Sequence, residues 1–366
     1  MKKSLKNIFL SSIHQNAGKT MIVLGLYKIF KEKGLRTTFM KPVGQQFVEV
    51  NQLSIDKDSY LISQVYRCRK NMKEMSPITV GRGFTEKYIF NPQKQVLKRK
   101  IIHSFQRLTK GQDAIIVEGT GHAGVGSVID FSNADVASLL GSKVIIISEG
   151  GIGKSIDEIM LNKALFDLRG VDVLGVIVNK VLPEKYKKIK KTLTQGLKNK
   201  GLRLLGVIPL DPLLISPTIG QIREYLNLKV LCGKENLHRR VRNTIVAAME
   251  PQNMIKYLKD STLVLLSGDR VDNIMVAVSS HLMTQDSERL VSGIILTGNL
   301  LPDSRIIDML KKSGVPVLLA DADTYTVAGK VEHLICKIQK TDKDKIQEAT
   351  RLVERNVDID LILKNI

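Results

Sequence analysis

The sequence predicts an α/β protein: a mostly parallel sheet flanked by helices, followed by a second, smaller α/β unit. Three observations predict it. Short apolar runs alternate with helical patterns through the first half, polar residues recur at the ends of those runs, and the pattern pauses at Ile208-Pro-Leu-Asp-Pro-Leu213 before a second series begins. The chain has 366 residues and is 43% hydrophobic, enough for two cores of ordinary domain size. We set the boundary near 212, giving a first domain of residues 1–212 and a second of 213–366.

The first strand, Ile8–Ser11, runs into a short polar loop that ends in Gly18-Lys19-Thr20 before a helix over Met21–Glu32. That order makes a phosphate cradle, with the backbone N–H groups of Asn16, Ala17 and Gly18 and a helix N-terminus facing the anion. Lys19 reaches the terminal phosphates of a nucleotide in this reading, and the Thr20 hydroxyl holds Mg²⁺. Ile13 stands where the common G-x-x-x-x-G-K-[ST] pattern has its first glycine. The strand–loop–helix context makes the expected sheet one of P-loop NTPase type.

Further strands follow at Thr37–Lys41, Ala114–Glu118, Val144–Ser148, Val173–Asn179 and Leu204–Pro209, with helices such as Lys94–Leu108 and Ile156–Asp167 between them. In open parallel sheets the ligand sits at the carboxyl ends of the strands. Ser12, Lys41, Glu118, Ser148 and Asn179 all fall there. Lys41, before Pro42, is either a catalytic lysine neutralising phosphate or an ordinary lysine beside a turn. Glu118, followed by Gly-Thr-Gly121, suits a carboxylate that faces Mg²⁺. Asp58, with Asp56, either adds a second carboxylate or marks a helix start. Asn179 has the donor and acceptor needed to read an adenine edge. Gly151-Ile-Gly-Lys154-Ser155 reads as a glycine-rich βα turn. His14 contacts phosphate or faces solvent, and the six scattered histidines show no metal-ligand spacing.

The second half predicts a helix over Ile219–Leu226, a short helix over Met254–Leu258 and a strand over Ser261–Leu266. A helix over Ile274–His281, a strand over Gly293–Thr297, a helix over Arg305–Ser313 and a strand over Val315–Leu319 come next. The last element, Thr341–Arg355, is a charged amphipathic helix assigned to the second domain. Glycines 268, 298 and 329 mark either turns or the approach of a small anion or nucleotide.

Net charge is +20, with a dense basic run over Lys185–Lys200. That run reads as an amphipathic helix burying Tyr186, Ile189, Leu193 and Leu197, its lysines forming a solvated face. There is no Trp and no aromatic-basic interleaving, which argues against specific nucleic-acid recognition. No apolar stretch reaches membrane-span length, no secretory signal precedes the first strand, and Cys68, Cys232 and Cys336 lie far apart. The expectation is a reduced, cytoplasmic protein with no membrane partner.

Ser12-Ile-His-Gln-Asn-Ala-Gly-Lys-Thr20, Lys41-Pro-Val-Gly44 and Glu118-Gly-Thr-Gly121 together resemble the dethiobiotin synthetase family of P-loop proteins over about residues 5–212, helped by Asn133-Ala-Asp-Val-Ala137 and Gly206-Val-Ile-Pro209. The resemblance implies ATP and Mg²⁺ as cofactors: Lys19 and Thr20 on phosphates and metal, Lys41 between nucleotide and substrate, Glu118 on the metal and Asn179 toward adenine. The second half resembles a DRTGG domain through Gly268-Asp269-Arg270, Thr297-Gly298-Asn299 and Asp323-Thr324-Tyr-Thr326, with Asn299 where that family has a second glycine. This pairing resembles the N-terminal regulatory part of long phosphotransacetylases, without their acetyl-transferring domain. It implies an ATP- and Mg²⁺-binding regulatory protein linked to acetyl-phosphate metabolism. A protein partner or small-molecule effector would meet the second domain, and a homo-oligomer is in keeping with related P-loop proteins. The alternative is an ATPase or an ATP-dependent ligase of the dethiobiotin synthetase type. Ser12-Ile-His14 and His122 depart from that family's Gly-Thr-Asp and glycine at those positions.

Overall fold

The computed structural model describes residues 5–68, 71–283, 290–334 and 336–366. The chain forms two units, one of Met1–Asp211 with Ile338–Ile366 and one of Pro212–Lys337. Among the described residues no helix is long and apolar enough to cross a membrane.

The first unit is built on a six-stranded, all-parallel sheet. Its strands are β1 (Lys6–Ser12), β2 (Thr37–Met40), β3 (Ala114–Glu118), β4 (Lys143–Glu149), β5 (Val173–Val181) and β6 (Leu204–Pro209), in the order β6-β5-β4-β1-β3-β2. Runs such as Val144–Ile147 and Val176–Val178 are fully buried along their length. Continuous rather than alternating apolar residues suit a parallel sheet covered on both faces. Helix α1 (Lys19–Glu32) leaves the loop after β1 and buries most of its residues, including Ile22, Leu26 and Phe30. A hairpin pairs Phe47–Val50 with Leu53–Asp56 across Asn51 and Gln52, both at positive φ as a two-residue hairpin turn requires. It delivers Asp56 to the start of helix α2 (Lys57–Val65). The basic run forms a helix over Tyr186–Lys198 that buries Ile189, Leu193 and Leu197, while Tyr186 is half-buried.

One expectation is corrected here. The charged C-terminal helix (Lys343–Asn356), assigned by sequence to residues 213–366, belongs to the first unit. Its buried stripe of Ala349, Leu352 and Val353 lies against α1, so close that a Cβ on Gly25 would sit 2.5 Å from Val353 Cβ. Beyond it, Asp358 N–H donates to the Leu205 carbonyl at 2.8 Å, and Lys6 Nζ donates to the Leu363 carbonyl at 2.6 Å. Amphipathicity identifies a buried face but not its partner. The second unit is therefore inserted between β6 and this returning tail.

The second unit carries a five-stranded sheet made from β7 (Lys229–Cys232), β8 (Asn243–Val246), β9 (Thr262–Ser267), β10 (Val291–Thr297) and β11 (Val317–Leu319). The order is β7-β11-β10-β9-β8, with β7 antiparallel to β11 and the rest parallel. Period-two alternation sorts β9 between two cores: Val264 and Leu266 pack with Met254 and Ile274, and Leu263 and Leu265 with Ile219 and Val327. Edge strands β7 and β8 and the helix over Thr324–Glu332 were not expected from sequence. The expected Met254–Leu258 helix is instead a turn over Pro251–Met254 and a 3₁₀ turn over Ile255–Tyr257.

Candidate functional site

The loop between β1 and α1 turns at Gly18, whose φ of +94° favours glycine. A Cβ there would lie 2.1 Å from Asn179 Nδ2, so only glycine lets strand β5 approach. Asn179 Nδ2 donates to the Ala17 carbonyl at 3.0 Å, and Lys180 Nζ donates to the Asn16 carbonyl at 2.6 Å. The end of β5 thus holds the loop from behind. Gly18 supplies no side-chain cap to α1, leaving the helix N-terminus to an outside acceptor.

Lys19 is buried and donates to Ser12 Oγ at 2.6 Å. Thr20 Oγ1 donates to Glu118 Oε1 at 2.9 Å. Glu118 Oε2 is buried with no hydrogen-bond partner. Burial, helped by the neighbouring Asp58 charge and opposed by Lys41 and Lys19, pushes the Glu118 carboxyl up to about 7. The glycine-rich turn after Glu118 is clamped by Asn133, which accepts from Thr120 N–H at 3.1 Å and donates to the carbonyls of Thr120 and His122.

Lys41 lies deeper than an ordinary lysine beside a turn. It is ion-paired with Asp58 and, at 3.2 Å, with Asp56. Burial opposes its charge, but Asp58, Glu118 and Asp56 outweigh that and hold the ammonium well above its usual range. Asp56 accepts from Asp58 N–H at 2.8 Å and caps α2, as the helix-start reading has it, while the Asp58 carboxylate pairs with Lys41. Burial raises the Asp56 carboxyl, and its Oδ2 is also without a partner. Two cations and three carboxylates meet here, with exposures of 8% and 7% for Lys19 and Lys41 and of 0%, 7% and 1% for Asp56, Asp58 and Glu118.

The structure brings Lys19, Thr20, Lys41, Asp58 and Glu118 together as the sequence predicts. Asn179 spends one amide N–H on the loop backbone, and that bond uses neither its second N–H nor its Oδ1, the groups an adenine edge would need. His14 pairs with Glu149 at 3.2 Å on the rim. Lys154 is exposed, in keeping with a plain βα turn over 151–155. Lys180, Glu149 and Asn133 were missed as positioning residues. The signal for Lys180 is its positive φ of 55° directly after Asn179, a backbone property no composition reveals.

In the second unit the motif residues divide. Thr297 Oγ1 at the end of β10 and Thr324 Oγ1 at the start of the helix over Thr324–Glu332 share a hydrogen bond of 2.6 Å. Gly298 has a φ of +75° and starts a tight turn. Arg270 folds back on Asp272 in a bidentate pair at 3.0 and 2.9 Å and reaches the Ala248 carbonyl, while Asp269 is exposed. Among the described residues Cys68 and Cys232 carry free thiols, and no group of three or more His, Cys, Asp or Glu could hold a metal alone.

A parallel sheet, an uncapped helix after a glycine turn and a buried lysine–threonine–glutamate set define a P-loop protein of the α/β class, joined to a second α/β unit. Residues 6–218 match the AAA domain family, to which the chain belongs, and residues 221–334 match the DRTGG domain. The chain is similar to phosphate acetyltransferase of Nitratidesulfovibrio vulgaris, 26% identical over 96% of this chain and 50% of the relative. It is likewise similar to that of Synechocystis sp., 26% identical over 98% of this chain and 51% of the relative. The chain thus spans about half the length of the curated relatives it matches. Among solved structures, a putative plasmid partition protein of Borrelia burgdorferi bound to AMPPNP aligns with a TM-score of 0.38 and 16% identity, over 57% of this chain and 87% of that one.

Proposed function

We propose that the first unit binds ATP with Mg²⁺ and acts as the nucleotide-responsive part of a protein linked to acetyl-phosphate metabolism. The observation that carries this reading is the buried, partnerless Glu118 Oε2 beside Thr20 and Lys19, at the uncapped N-terminus of α1. An acidic oxygen without a partner inside a protein costs about 1–3 kcal/mol or more, which a cation would offset. Mg²⁺ commonly takes one or two carboxylates and completes its shell with phosphate oxygens and water, so a site with few protein ligands fits it. When bound, the metal would neutralise charge on the nucleotide phosphates. Thr20 and Glu118 would hold it, the loop N–H groups and Lys19 would bind phosphate, and Asn179 and Lys180 would keep the loop in shape.

The similarity to phosphate acetyltransferases along the whole chain supports the metabolic link. Lys41 favours binding over a ligase of the dethiobiotin synthetase type, because its ammonium is already matched by Asp58 and Asp56. Calorimetric titration with ATP, with and without Mg²⁺, tests the reading. Binding that needs Mg²⁺ and disappears in a folded Lys19→Ala variant is expected; unchanged affinity in that variant would overturn it. Formation of a ureido product from diaminopelargonate, bicarbonate and ATP would replace it with the ligase.

A further inference from the structure

The second unit holds a cleft of about 750 Å³ between the end of the helix over Ile219–Leu226, strand β7 and the segment after β11. Four cations line it, Arg223, Lys229, Lys234 and Lys330, against a single carboxylate, Asp321. This concentration is local. Residues 212–337 contain fifteen Lys and Arg and thirteen Asp and Glu, a net charge of only +2, whereas the cleft lining alone carries +3. None of the four cations has an ion pair or side-chain hydrogen bond among the described residues. Like charges gathered against a single carboxylate repel, and a bound anion relieves that repulsion.

Apart from Asn227 the rest of the lining is apolar and includes Leu319. Its wall is fixed by the Thr-Gly-Asn turn after β10: Gly298 N–H donates to the Ala322 carbonyl and Asn299 N–H to the Ala320 carbonyl, both at 2.9 Å. Ala320 and Ala322 line the cleft. Gly298 and Asn299 both hold positive φ to make those bonds, which gives the turn a task the sequence motif alone does not explain. A volume of this size is typical of small-molecule sites, which pair an apolar lining with a few convergent polar groups. No aromatic side chain lines it to stack a nucleic-acid strand.

We propose that this cleft binds a phosphorylated small molecule, its anionic groups meeting Arg223, Lys229, Lys234 and Lys330 and its apolar body lying on Leu319. Two probes separate the parts of that recognition: tripolyphosphate supplies the anion alone, and ADP adds a body. Both are titrated calorimetrically into the full chain, into Lys19→Ala and into Lys19→Ala also carrying Arg223→Glu/Lys330→Glu, with thermal melts as a check on folding. The expected result is that both probes bind Lys19→Ala, ADP more tightly. Tripolyphosphate affinity should fall about tenfold or more in the charge-reversed variant, the loss of roughly 1.4 kcal/mol of ionic contact. No binding to Lys19→Ala would place the anion in the phosphate loop and overturn the proposal, as would binding to Lys19→Ala that charge reversal leaves unchanged.

Discussion

The two units present the same kind of edge, the carboxyl ends of parallel strands, and equip it in opposite ways. In the first unit those ends gather five buried charged side chains, two of which retain partnerless oxygens. In the second, the corresponding ends carry a threonine pair satisfied by a mutual hydrogen bond and an arginine closed on its neighbouring aspartate. The units also differ in net charge, +18 for the first against +2 for the second. A parallel sheet supplies a place for a site, and buried charge collects at that place in the first unit but not in the second.

That contrast breaks most sharply at Lys41. Lys41→Ala leaves Asp56, Asp58 and Glu118 buried without their main counter-ion, and chemical denaturation should read a loss of about 3–5 kcal/mol. Arg270→Ala in the second unit removes an exposed pair and should leave the denaturation midpoint nearly unmoved. Equal losses would erase the distinction between the two edges.

The next effect is pH-dependent. Glu118 titrates at about 7 in the folded chain against 4.5 for an ordinary glutamate, so the native state holds this proton more tightly than the unfolded state. The associated stability is fully present below the unfolded value and is lost as pH rises to about 7, after which it is constant. Relative to Glu118→Gln, the protein should therefore weaken by about 3 kcal/mol between those limits. A pH-independent difference between the two proteins would mean the carboxylate is already relieved.

Smaller effects sharpen the boundary between units. Gly25→Val forces a side chain into Val353, and overpacking of this kind costs about 1–3 kcal/mol. Hydrogen exchange should then rise in the tail over 343–356 and leave β9 and β10 of the second unit unaffected; exchange rising in both units alike would show that the tail does not belong to the first. Thr297→Val removes one hydrogen-bonded hydroxyl and leaves Thr324 Oγ1 without it, for about 1 kcal/mol. A thermal melt that fails to register this change would demote the threonine pair.

Much of this was legible in the chain. Ala114–Glu118 and Leu204–Pro209 coincide with their expected strands, because short runs rich in β-branched and aliphatic residues and bounded by turn residues have few alternatives. Lys19, Thr20 and Glu118 were found because each follows or ends such a run. Asn133 and Lys180 were not, since their work is to hold backbone that lies far off in sequence. The hairpin over 47–56 escaped notice for a related reason: its strands are short and half exposed, so they lack the apolar signature of the central sheet.

By itself the sequence determined the alternation of elements, the phosphate loop and the pause at residue 212, all of which rest on local periodicity and turn chemistry. Only the tertiary structure decided that the tail returns to α1, that Lys41 is matched by Asp56 and Asp58, and that four cations of the second unit share one cleft. Each of those outcomes depends on side chains distant in the chain meeting at contact range. Burial and charge energies act over a few ångströms of space, and sequence separation does not measure that distance.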